Sequence, residues 1–337
     1  MVFVTGATGI LGRVIVLELL KKGQNVRAAK RQSSHLDEVR RSYKFYTENP
    51  DHFFNKIDWV DVDFNDINSL KEALKGVEEV YHTAAKVGFN PKDDKEMYHT
   101  NVKGTENLLF ACEGSDVKKF LFVSSIAVMD LFNEKGEIDE NSDFNPKEEH
   151  SAYAISKHLA EMEVWRASAE GLNVVIVNPG MIIGSGNWGN SSGDIFPTFE
   201  KSNFTFSGGT SYADVRDVAE ICIQLMGKNI FGERFIIISE NENYVDIAGQ
   251  IRKTLGLEKA KVLSRLQLNV GVLANTLFGW LIPPLRMVTR ANVESVSRMK
   301  IVSNKKIKER LNYQFIPLKE TVDFHLKNYI NDKKSKK

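Results

Sequence analysis

After Met1 the chain begins with the stretch Val2-Phe3-Val4-Thr5-Gly6-Ala7-Thr8-Gly9-Ile10-Leu11-Gly12. An apolar, strand-like run leads into three glycines spaced three residues apart, and an apolar helical pattern follows. Gly6 permits a tight turn, Gly9 lets a ligand approach the backbone, and Gly12 lets the helix pack closely on the strand. The helix N-terminus then presents free N–H groups and a positive dipole end. Such glycines can form an ordinary turn, but this context predicts a pyrophosphate-binding loop of a dinucleotide site.

Beyond this loop, strand-like and helical patterns alternate. Strands are predicted at Val2–Thr5, Val26–Ala29, Ile57–Val62, Val77–His82, Phe120–Ser124, Val174–Val177 and Phe235–Ser239. Helices are predicted at Leu11–Lys22, Ile67–Lys75, Lys95–Cys112, Tyr153–Ala169 and Val215–Met226. The alternation predicts an α/β fold with a doubly wound parallel sheet of the Rossmann type and right-handed crossovers.

The alternation stops near Asn178, which suggests a second unit. The segment from there to Tyr212 is rich in Gly, Asn, Ser and Phe, and the chain is mainly helical after Asn241. We therefore expect a dinucleotide-binding Rossmann domain and a smaller, mainly helical substrate lobe. Their predicted residues are 1–178 plus 212–240 for the domain, 179–211 plus 241–332 for the lobe, and 333–337 for a basic tail.

Charge and composition narrow the classes of partner. The 337 residues include 45 Lys and Arg against 44 Asp and Glu, a net charge of +1. Such balance gives no overall field that would attract nucleic acid or an anionic membrane, so we expect neither partner. The most apolar late stretch, Leu266–Ile282, is short and polar for a spanning helix, and we expect it to pack or to face a partner, with contact with a membrane surface as the less favoured alternative.

The cysteines and histidines show no metal-ligand spacing. Cys112 and Cys222 stand in apolar helical contexts, where buried, reduced thiols suit a cytoplasmic protein. His99, His150 and His158 are interpreted as surface or packing residues, and Glu161 with Glu163 as a solvated helix face. No metal site is therefore predicted.

A tyrosine and a lysine stand four residues apart in a predicted helix. Tyr153 and Lys157 would share one helix face, and Ser125 ends a strand upstream. A free tyrosine has a pKa near ~10 and needs a nearby cation to exchange protons at neutral pH. Lys157 can supply that cation. The pair alone is common on solvated helices, but the glycine loop and the strand-end serine favour a catalytic site at the carboxyl ends of the strands.

Further motifs join the loop and this pair. They are His82-Thr83-Ala84-Ala85, Asn101-Val102-Lys103-Gly104-Thr105, Val123-Ser124-Ser125, Asn178-Pro179-Gly180 and Tyr212-Ala213-Asp214-Val215-Arg216-Asp217-Val218. With them the chain resembles an extended short-chain dehydrogenase/reductase, of the NAD-dependent epimerase/dehydratase superfamily, over nearly its whole length. The resemblance implies that Ser125 and Tyr153 hydrogen-bond the reacting oxygen and that Tyr153 transfers its proton. Lys157 would hold the nicotinamide ribose and lower the pKa of Tyr153.

The resemblance also assigns the remaining site residues. Asn101 is a further catalytic candidate, with helix-to-strand packing as an equal alternative. The implied cofactor contacts are Gly6, Ala7, Thr8, Gly9, Ile10, Leu11, Gly12, Lys30, Arg31, Asp63, Phe64, Thr83, Ala84, Ala85, Ser124, Lys157, Pro179, Gly180 and Ile182. The implied substrate contacts are Lys86, Ile126, Met181, Phe196 and Tyr212. Homodimers are common in the superfamily, which suggests a homodimer by analogy.

The branch of the superfamily decides the reaction. Residues 26–31 and Val177-Asn178-Pro179 resemble the dihydroflavonol-4-reductase-like branch, which implies a reductase of aldehydes or ketones. Sugar-nucleotide epimerases or dehydratases, which use NAD, more often carry Arg where this chain has Asn178. A 3β-hydroxysteroid dehydrogenase-like enzyme is a third alternative. A non-catalytic dinucleotide sensor is disfavoured, because such proteins often lack the Tyr–Lys pair.

Two segments bear on cofactor and substrate. An NAD site presents an acid to the ribose about 20 residues past the loop, whereas this chain presents Lys30-Arg31-Gln32-Ser33-Ser34. An arginine fork suits a 2′-phosphate, so NADP(H) is predicted, with NAD(H) as the alternative. From Met181 to Tyr212 the only basic residue is Lys201 among many apolar ones. This predicts a hydrophobic carbonyl substrate rather than a diphosphate-bearing one. Two alternatives stay open: the apolar residues simply pack the lobe, or Arg216, Arg286 or Arg290 reaches into the cleft and restores a phosphate site.

Overall fold

The computed structural model describes residues 1–88, 90–189, 191–278 and 282–335. Its strands are β1 (Val2–Thr5), β2 (Val26–Lys30), β3 (Asp58–Asp61), β4 (Glu79–His82), β5 (Lys119–Val123), β6 (Asn173–Pro179), β7 (Met181–Ile183), β8 (Phe204–Phe206), β9 (Gly209–Asp214), β10 (Glu233–Ile237), β11 (Glu240–Asn243) and β12 (Lys261–Leu263). Its α-helices are α1 (Ile10–Lys21), α2 (Leu36–Ser42), α3 (Pro50–Phe54), α4 (Ile67–Ala73), α5 (Asp94–Tyr98), α6 (Gly104–Cys112), α7 (Ala152–Ala169), α8 (Ile195–Lys201), α9 (Val215–Gly227), α10 (Tyr244–Thr254), α11 (Arg265–Phe278), α12 (Arg290–Ser297), α13 (Lys305–Leu311) and α14 (Leu318–Ser335). Short 3-10 turns lie at Tyr43–Phe45, Pro91–Asp93, Ile126–Val128, Ser191–Asp194 and Pro283–Met287.

Seven parallel strands form the central sheet, in the order β10-β6-β5-β4-β1-β2-β3. The strand order changes direction between β1 and β4, where Thr5 lies opposite His82 at the carboxyl ends. Ligands of open α/β sheets bind at such a switch point. The predicted doubly wound Rossmann fold is confirmed, and the glycine loop follows β1 at that switch point.

The sheet is covered on both faces. Along β1, Val2 and Val4 pack into one hydrophobic cluster with α1 and α9, whereas Phe3 packs into a second cluster with α4, α6 and α7. Successive side chains of a strand point to opposite faces, and here both faces are buried. This explains why the strands are continuous apolar runs rather than alternating ones.

The second lobe has its own core. Strands β7, β9 and β11 form a small sheet, and β8 pairs with β12. A third hydrophobic cluster joins these elements to α8, α10 and α14, with Phe196, Ile247 and Val322 fully or almost fully buried. We keep the predicted residue boundaries of the two lobes as a proposal.

The structure departs from three local predictions. The helix predicted at Lys95–Cys112 is interrupted by a π-helical turn, His99–Lys103, which buries Asn101 between α5 and α6. Helix α14 continues through Ser335, so the predicted tail begins as helix, and residues 336–337 lie outside the described part. Helix α11 ends at Phe278, before residues 279–281, which also lie outside it. Among described residues, no helix is both long and apolar enough to span a membrane.

Candidate functional site

At two positions of the glycine loop, only glycine fits without a steric clash. Gly6 adopts a φ of 64°, and a Cβ there would lie 2.6 Å from the backbone nitrogen of Ala84. A Cβ on Gly12 would lie 2.2 Å from the carbonyl oxygen of Gly6. Inside the turn, the Gly9 N–H donates to the Gly6 carbonyl at 2.8 Å. The loop is therefore wedged between β4 and α1, with no room for side chains at Gly6 or Gly12.

The residues around the loop fit a bound dinucleotide. Gly9 is the N-cap residue of α1. Because glycine has no side chain to accept from the first N–H groups of the helix, these groups are left for a ligand. Ser124, at the end of β5, is buried, and its hydroxyl finds no hydrogen-bond partner within the described residues. A buried hydroxyl without a partner is costly unless a ligand or water completes it. The N-terminus of α1 lies at the switch point where a dinucleotide would bind, and Ser124 lies at the end of β5, the strand next to β4.

Arg13 stabilises the glycine loop through hydrogen bonds to its carbonyl groups. The sequence analysis did not identify this residue. Its side chain is fully buried, and its guanidinium donates to the carbonyls of Thr8 and Gly9 and to Glu38, with Nη1 2.9 Å from Glu38 Oε1. Burial acts to raise the pKa of Glu38, but the hydrogen bond and charge of Arg13 outweigh it, so the pKa is lowered. Glu38 Oε1 also accepts from the backbone N–H of Asn187 at 2.8 Å. Arg13 thus joins the loop to the second lobe.

A cavity of about 690 Å³ lies beside β2 and β3. Three predicted cofactor residues line it, namely Arg31, Asp63 and Phe64. Its volume lies within the range of small-molecule pockets. Lys30, which is also predicted to contact the cofactor, instead pairs with Asp61, with Nζ and Oδ1 2.5 Å apart.

Two further predicted cofactor contacts, Thr83 and Ala84, lie against the loop. Thr83 donates its hydroxyl to the Thr5 carbonyl at 2.7 Å, and the Ala84 N–H donates to the Thr5 hydroxyl at 3.3 Å. Gly180 follows β6, and a Cβ there would lie 2.3 Å from the Ser211 carbonyl oxygen. The glycine thus permits close contact between β6 and β9. The structure shows these positions, while their contact with a cofactor stays a prediction.

Tyr153 and Ser125 meet at the carboxyl end of the sheet. Tyr153 stands in the first turn of α7, which begins after the Ser151 cap, and Ser125 follows β5. Burial raises the pKa of Tyr153, and a hydrogen bond with the Ser125 side chain partly offsets this. The phenol is therefore protonated at neutral pH, which is the state a proton donor needs.

Lys157 lies one helical turn further along α7. Its side chain is almost fully buried, and its Nζ donates to the Val123 carbonyl at 2.6 Å and lies 4.2 Å from the centre of the Phe122 ring. Burial lowers the pKa of Lys157 to about 7, although the charge of Glu161 acts to raise it. In this structure burial and Ser125 are the causes of the pKa shift of Tyr153, and Lys157 is not one of them. Pairing of Lys157 with Tyr153 stays a prediction for the cofactor-bound enzyme.

The buried lysine should make stability depend on pH. Unfolded, Lys157 keeps its proton up to about pH 10.5, whereas folded it releases it near pH 7. Between these values the unfolded state binds more protons, so stability rises with pH. Relative to Lys157→Met, the unfolding free energy of the wild type should increase by about 2 kcal/mol from pH 7 to pH 9. Urea unfolding without added dinucleotide measures it. A difference that does not change with pH would contradict the lowered pKa.

Glu161 corrects the sequence analysis, which placed it on a solvated helix face. It is 1% exposed, accepts from the Asn178 side-chain amide at 3.1 Å and lies 3.3 Å from Nη1 of Arg234. Because it follows Lys157 by four residues, it shares the buried face of α7. Asn178 also donates to the Ser125 carbonyl at 3.1 Å. Asn178 thus holds the backbone at Ser125, and Glu161 lies one helical turn from Lys157 on the same buried face.

Asn101 links two parts of the site without pointing into it. Its side-chain amide donates to the Lys86 carbonyl and to the Ser156 hydroxyl, both at 2.9 Å, and its Oδ1 accepts from the Lys86 N–H at 2.7 Å. Both amide hydrogens are therefore engaged. The Ser156 hydroxyl donates in turn to the Tyr153 carbonyl at 2.8 Å. In this structure Asn101 joins the loop after β4 to α7, and its catalytic role stays a prediction.

His82 continues this network to the glycine loop. Its Nδ1 lies 2.7 Å from the Thr5 hydroxyl, and its Nε2 lies 2.9 Å from the Thr105 hydroxyl. Thr105 donates to the Asn101 carbonyl, so it must accept from His82 Nε2–H. Burial lowers the pKa of His82 to about 3, which keeps the ring neutral. A chain of buried hydrogen bonds thus joins β1 to α7.

The predicted substrate residues are placed differently from one another. Ile126 and Met181 are partly exposed, and Lys86 pairs with Asp93 at 3.3 Å and with Glu96. Phe196 and Tyr212 are fully buried in the core of the second lobe. Those two cannot line a cleft here, because they have no exposed surface. They pack the core of the second lobe.

Comparisons with known proteins agree with this geometry. Residues 2–237 match the family model described as NAD dependent epimerase/dehydratase family. A protein of Synechocystis sp. that carries a dihydroflavonol 4-reductase name is 31% identical over 269 residues, covering 77% of this chain and 74% of that protein. Sterol demethylase protein B of Methylococcus capsulatus is 31% identical over 246 residues, covering 71% and 69%. The crystal structure of gox2253 is 25% identical with a TM-score of 0.83 and covers 98% of both chains.

Proposed function

The chain belongs to the NAD dependent epimerase/dehydratase family, and on that premise we propose that it is an NADPH-dependent reductase of an apolar aldehyde or ketone. A nicotinamide dinucleotide cofactor and an NAD(P)-dependent oxidoreductase type of enzyme follow from the family itself. The observation that carries the reductase proposal is that α7, which bears Tyr153 and Lys157, is held at the end of β5. Lys157 donates to the Val123 carbonyl, and the Asn178 amide donates both to the Ser125 carbonyl and to Glu161 of α7. The chain resembles the dihydroflavonol-4-reductase-like branch, and a relative that is 31% identical carries a dihydroflavonol 4-reductase name.

Three side chains account for the chemistry. Ser125 donates a hydrogen bond to the substrate carbonyl and orients it against Tyr153. As negative charge develops on that oxygen, Tyr153 transfers its phenolic proton to it, so the carbonyl becomes an alcohol. When bound, the nicotinamide supplies the hydride that the carbonyl carbon accepts. Protonated Lys157 stabilises the phenolate that Tyr153 leaves behind, because the opposite charges attract, and the negative phenolate in turn raises the pKa of Lys157.

The substrate is proposed to be apolar because the segment from Met181 to Tyr212, which follows the predicted nicotinamide contacts Pro179 and Gly180, offers little to a diphosphate. Lys201 is the only basic residue between Met181 and Tyr212, and it ends α8 with an exposed side chain. Arginine forks are the usual partners of diphosphates. The sterol named for the Methylococcus relative is likewise a largely apolar molecule.

The cofactor preference rests on the cavity beside β2. Arg31 and Gln32 line it, whereas Lys30 is engaged with Asp61. We expect Arg31→Ala to raise the Kd for NADPH about 10-fold, the loss of one charge-assisted hydrogen bond, and to leave the Kd for NADH unchanged. Titration calorimetry with both cofactors measures this, with Lys30→Ala as the matched control. Equal affinity of the wild type for NADPH and NADH would contradict the preference.

One assay tests the proposed function as a whole. The wild type is incubated with NADPH or NADH and with hydrophobic aldehydes, ketones, 3-oxosteroids or UDP- and GDP-sugars, and absorbance at the nicotinamide band is followed. Oxidation of NADPH with an apolar carbonyl supports the reductase. Turnover of a nucleotide sugar, detected by product chromatography, with none on apolar carbonyls would indicate an epimerase or dehydratase instead.

A further inference from the structure

Helix α11 presents an apolar stripe to solvent. Leu266, Val270, Leu273 and Leu277 are 75%, 59%, 60% and 55% exposed. Their spacing of four, three and four residues places them on one face of the helix. The 14 residues of α11 contain a single charged side chain, Arg265. Surface helices of soluble proteins normally carry charged residues on their outer face, so this stripe calls for a partner.

The opposite face of α11 is already packed. Leu268 is buried, and a Cβ on Gly271 would lie 3.0 Å from the Val288 side chain. The Asn275 side-chain amide donates to the Val288 carbonyl at 3.2 Å. The helix is therefore held by its inner face, and the stripe is its outward face. The sequence analysis expected this stretch to pack or to face a partner, and its inner face packs.

The segment around α11 is strongly basic. Residues 259–300 contain one acid, Glu294, and seven bases, namely Lys259, Lys261, Arg265, Arg286, Arg290, Arg298 and Lys300. This net charge of +6 stands in a chain whose total is +1. Glu294 is shared, since Arg265 lies 3.0 Å and Arg298 lies 2.9 Å from its carboxylate oxygens. The near-neutral total therefore conceals a local positive region.

We propose that residues 259–278 and 282–300 dock the protein on an anionic membrane surface, with the α11 stripe among the lipid headgroups. Apolar residues on one face with flanking Lys and Arg are the features that bind anionic bilayers. A second copy fits poorly, because a two-fold contact through this face would set one basic segment against another. Phe204 and Val262, 51% and 47% exposed on the paired strands β8 and β12, add apolar surface beside the helix.

The end of the basic segment contacts the loop that follows Ser125 and the second lobe. Lys300 pairs with Asp130, with Nζ and Oδ1 2.9 Å apart, and so ties the segment to the loop that follows Ser125. The Val296 carbonyl accepts from Gly208 at 3.0 Å. Docking would bring the cleft near the bilayer, where an apolar carbonyl compound dissolves. This consequence, unlike the docking itself, rests on the proposed function.

Vesicle co-sedimentation tests the proposal. The full chain is spun with phosphatidylcholine vesicles or with vesicles containing 30% phosphatidylglycerol, at about 0.1 M salt, where surface charges still act over roughly 10 Å. We expect at least 10-fold stronger partitioning to the anionic vesicles and its loss at 0.5 M salt. Leu266→Glu/Leu273→Glu should abolish binding. The matched control is Phe110→Glu, since Phe110 is 48% exposed on α6, away from this face.

Each outcome decides the proposal. Thermal melting and NADPH binding of the variants establish that they fold, and neither depends on membrane contact. Equal binding to neutral and anionic vesicles would overturn the electrostatic part. If the protein sediments with neither vesicle, docking is overturned altogether. If light scattering shows a wild-type dimer that becomes monomeric in the double variant, the stripe serves self-association instead. Failure of the carbonyl assay would leave this result untouched.

Discussion

Tyr153→Phe should lower kcat for carbonyl reduction by about 10²- to 10⁴-fold, the usual contribution of a general acid. The ring of Tyr153 remains to pack at the start of α7, and only its hydroxyl, paired with Ser125, is lost. The Kd for NADPH should therefore stay within about two-fold of wild type, since the removed atom faces the substrate. Steady-state kinetics and fluorescence titration of NADPH measure the two effects.

Two controls sharpen this result. Tyr98→Phe removes a hydroxyl from a tyrosine that is 44% exposed on α5, and it should leave kcat unchanged. Ser125→Ala should lower kcat less than Tyr153→Phe, because a serine orients the carbonyl but does not transfer the proton. Near-full turnover of Tyr153→Phe would show that another group donates the proton.

Gly12→Ala should abolish tight dinucleotide binding. Glycine within a helix is worse than alanine by about 1 kcal/mol, so helix propensity alone predicts a more stable variant. The new Cβ would lie 2.2 Å from the Gly6 carbonyl oxygen, where side chains need at least 3.0 Å. The contact is with backbone, so the loop itself must move by nearly 1 Å. Displacement of this size costs on the order of 10²-fold in binding or catalysis, and overpacking lowers the unfolding free energy by about 1–3 kcal/mol.

A second glycine separates sterics from propensity. Gly249 lies inside α10, and a Cβ there meets nothing within 4 Å. Gly249→Ala should therefore stabilise the protein slightly and leave NADPH affinity unchanged. Calorimetric titration and urea unfolding of both variants provide the comparison. Wild-type affinity in Gly12→Ala would contradict the packing of α1 on the loop.

Patterns local in sequence predicted the fold and the centre of the site. The glycine loop, the alternation of strands and helices, and the spacing of Tyr153 and Lys157 depend on backbone sterics and on helical and strand periods, which neighbouring residues determine. The same reasoning placed Ser125 at a strand end. The structure then confirmed a doubly wound sheet, whose switch point brings the loop to the ends of β1 and β4.

Tertiary structure alone decided which polar and apolar side chains are buried. Arg13 pairs with Glu38 25 residues away, and Glu161 with Arg234 73 residues away. Neither pair has a local signature, because burial of a charge depends on a partner that only folding supplies. Phe196 lies inside the second lobe while Leu266 lies outside on α11. Both occur in apolar stretches, and periodicity names a helix face without stating what, if anything, covers it.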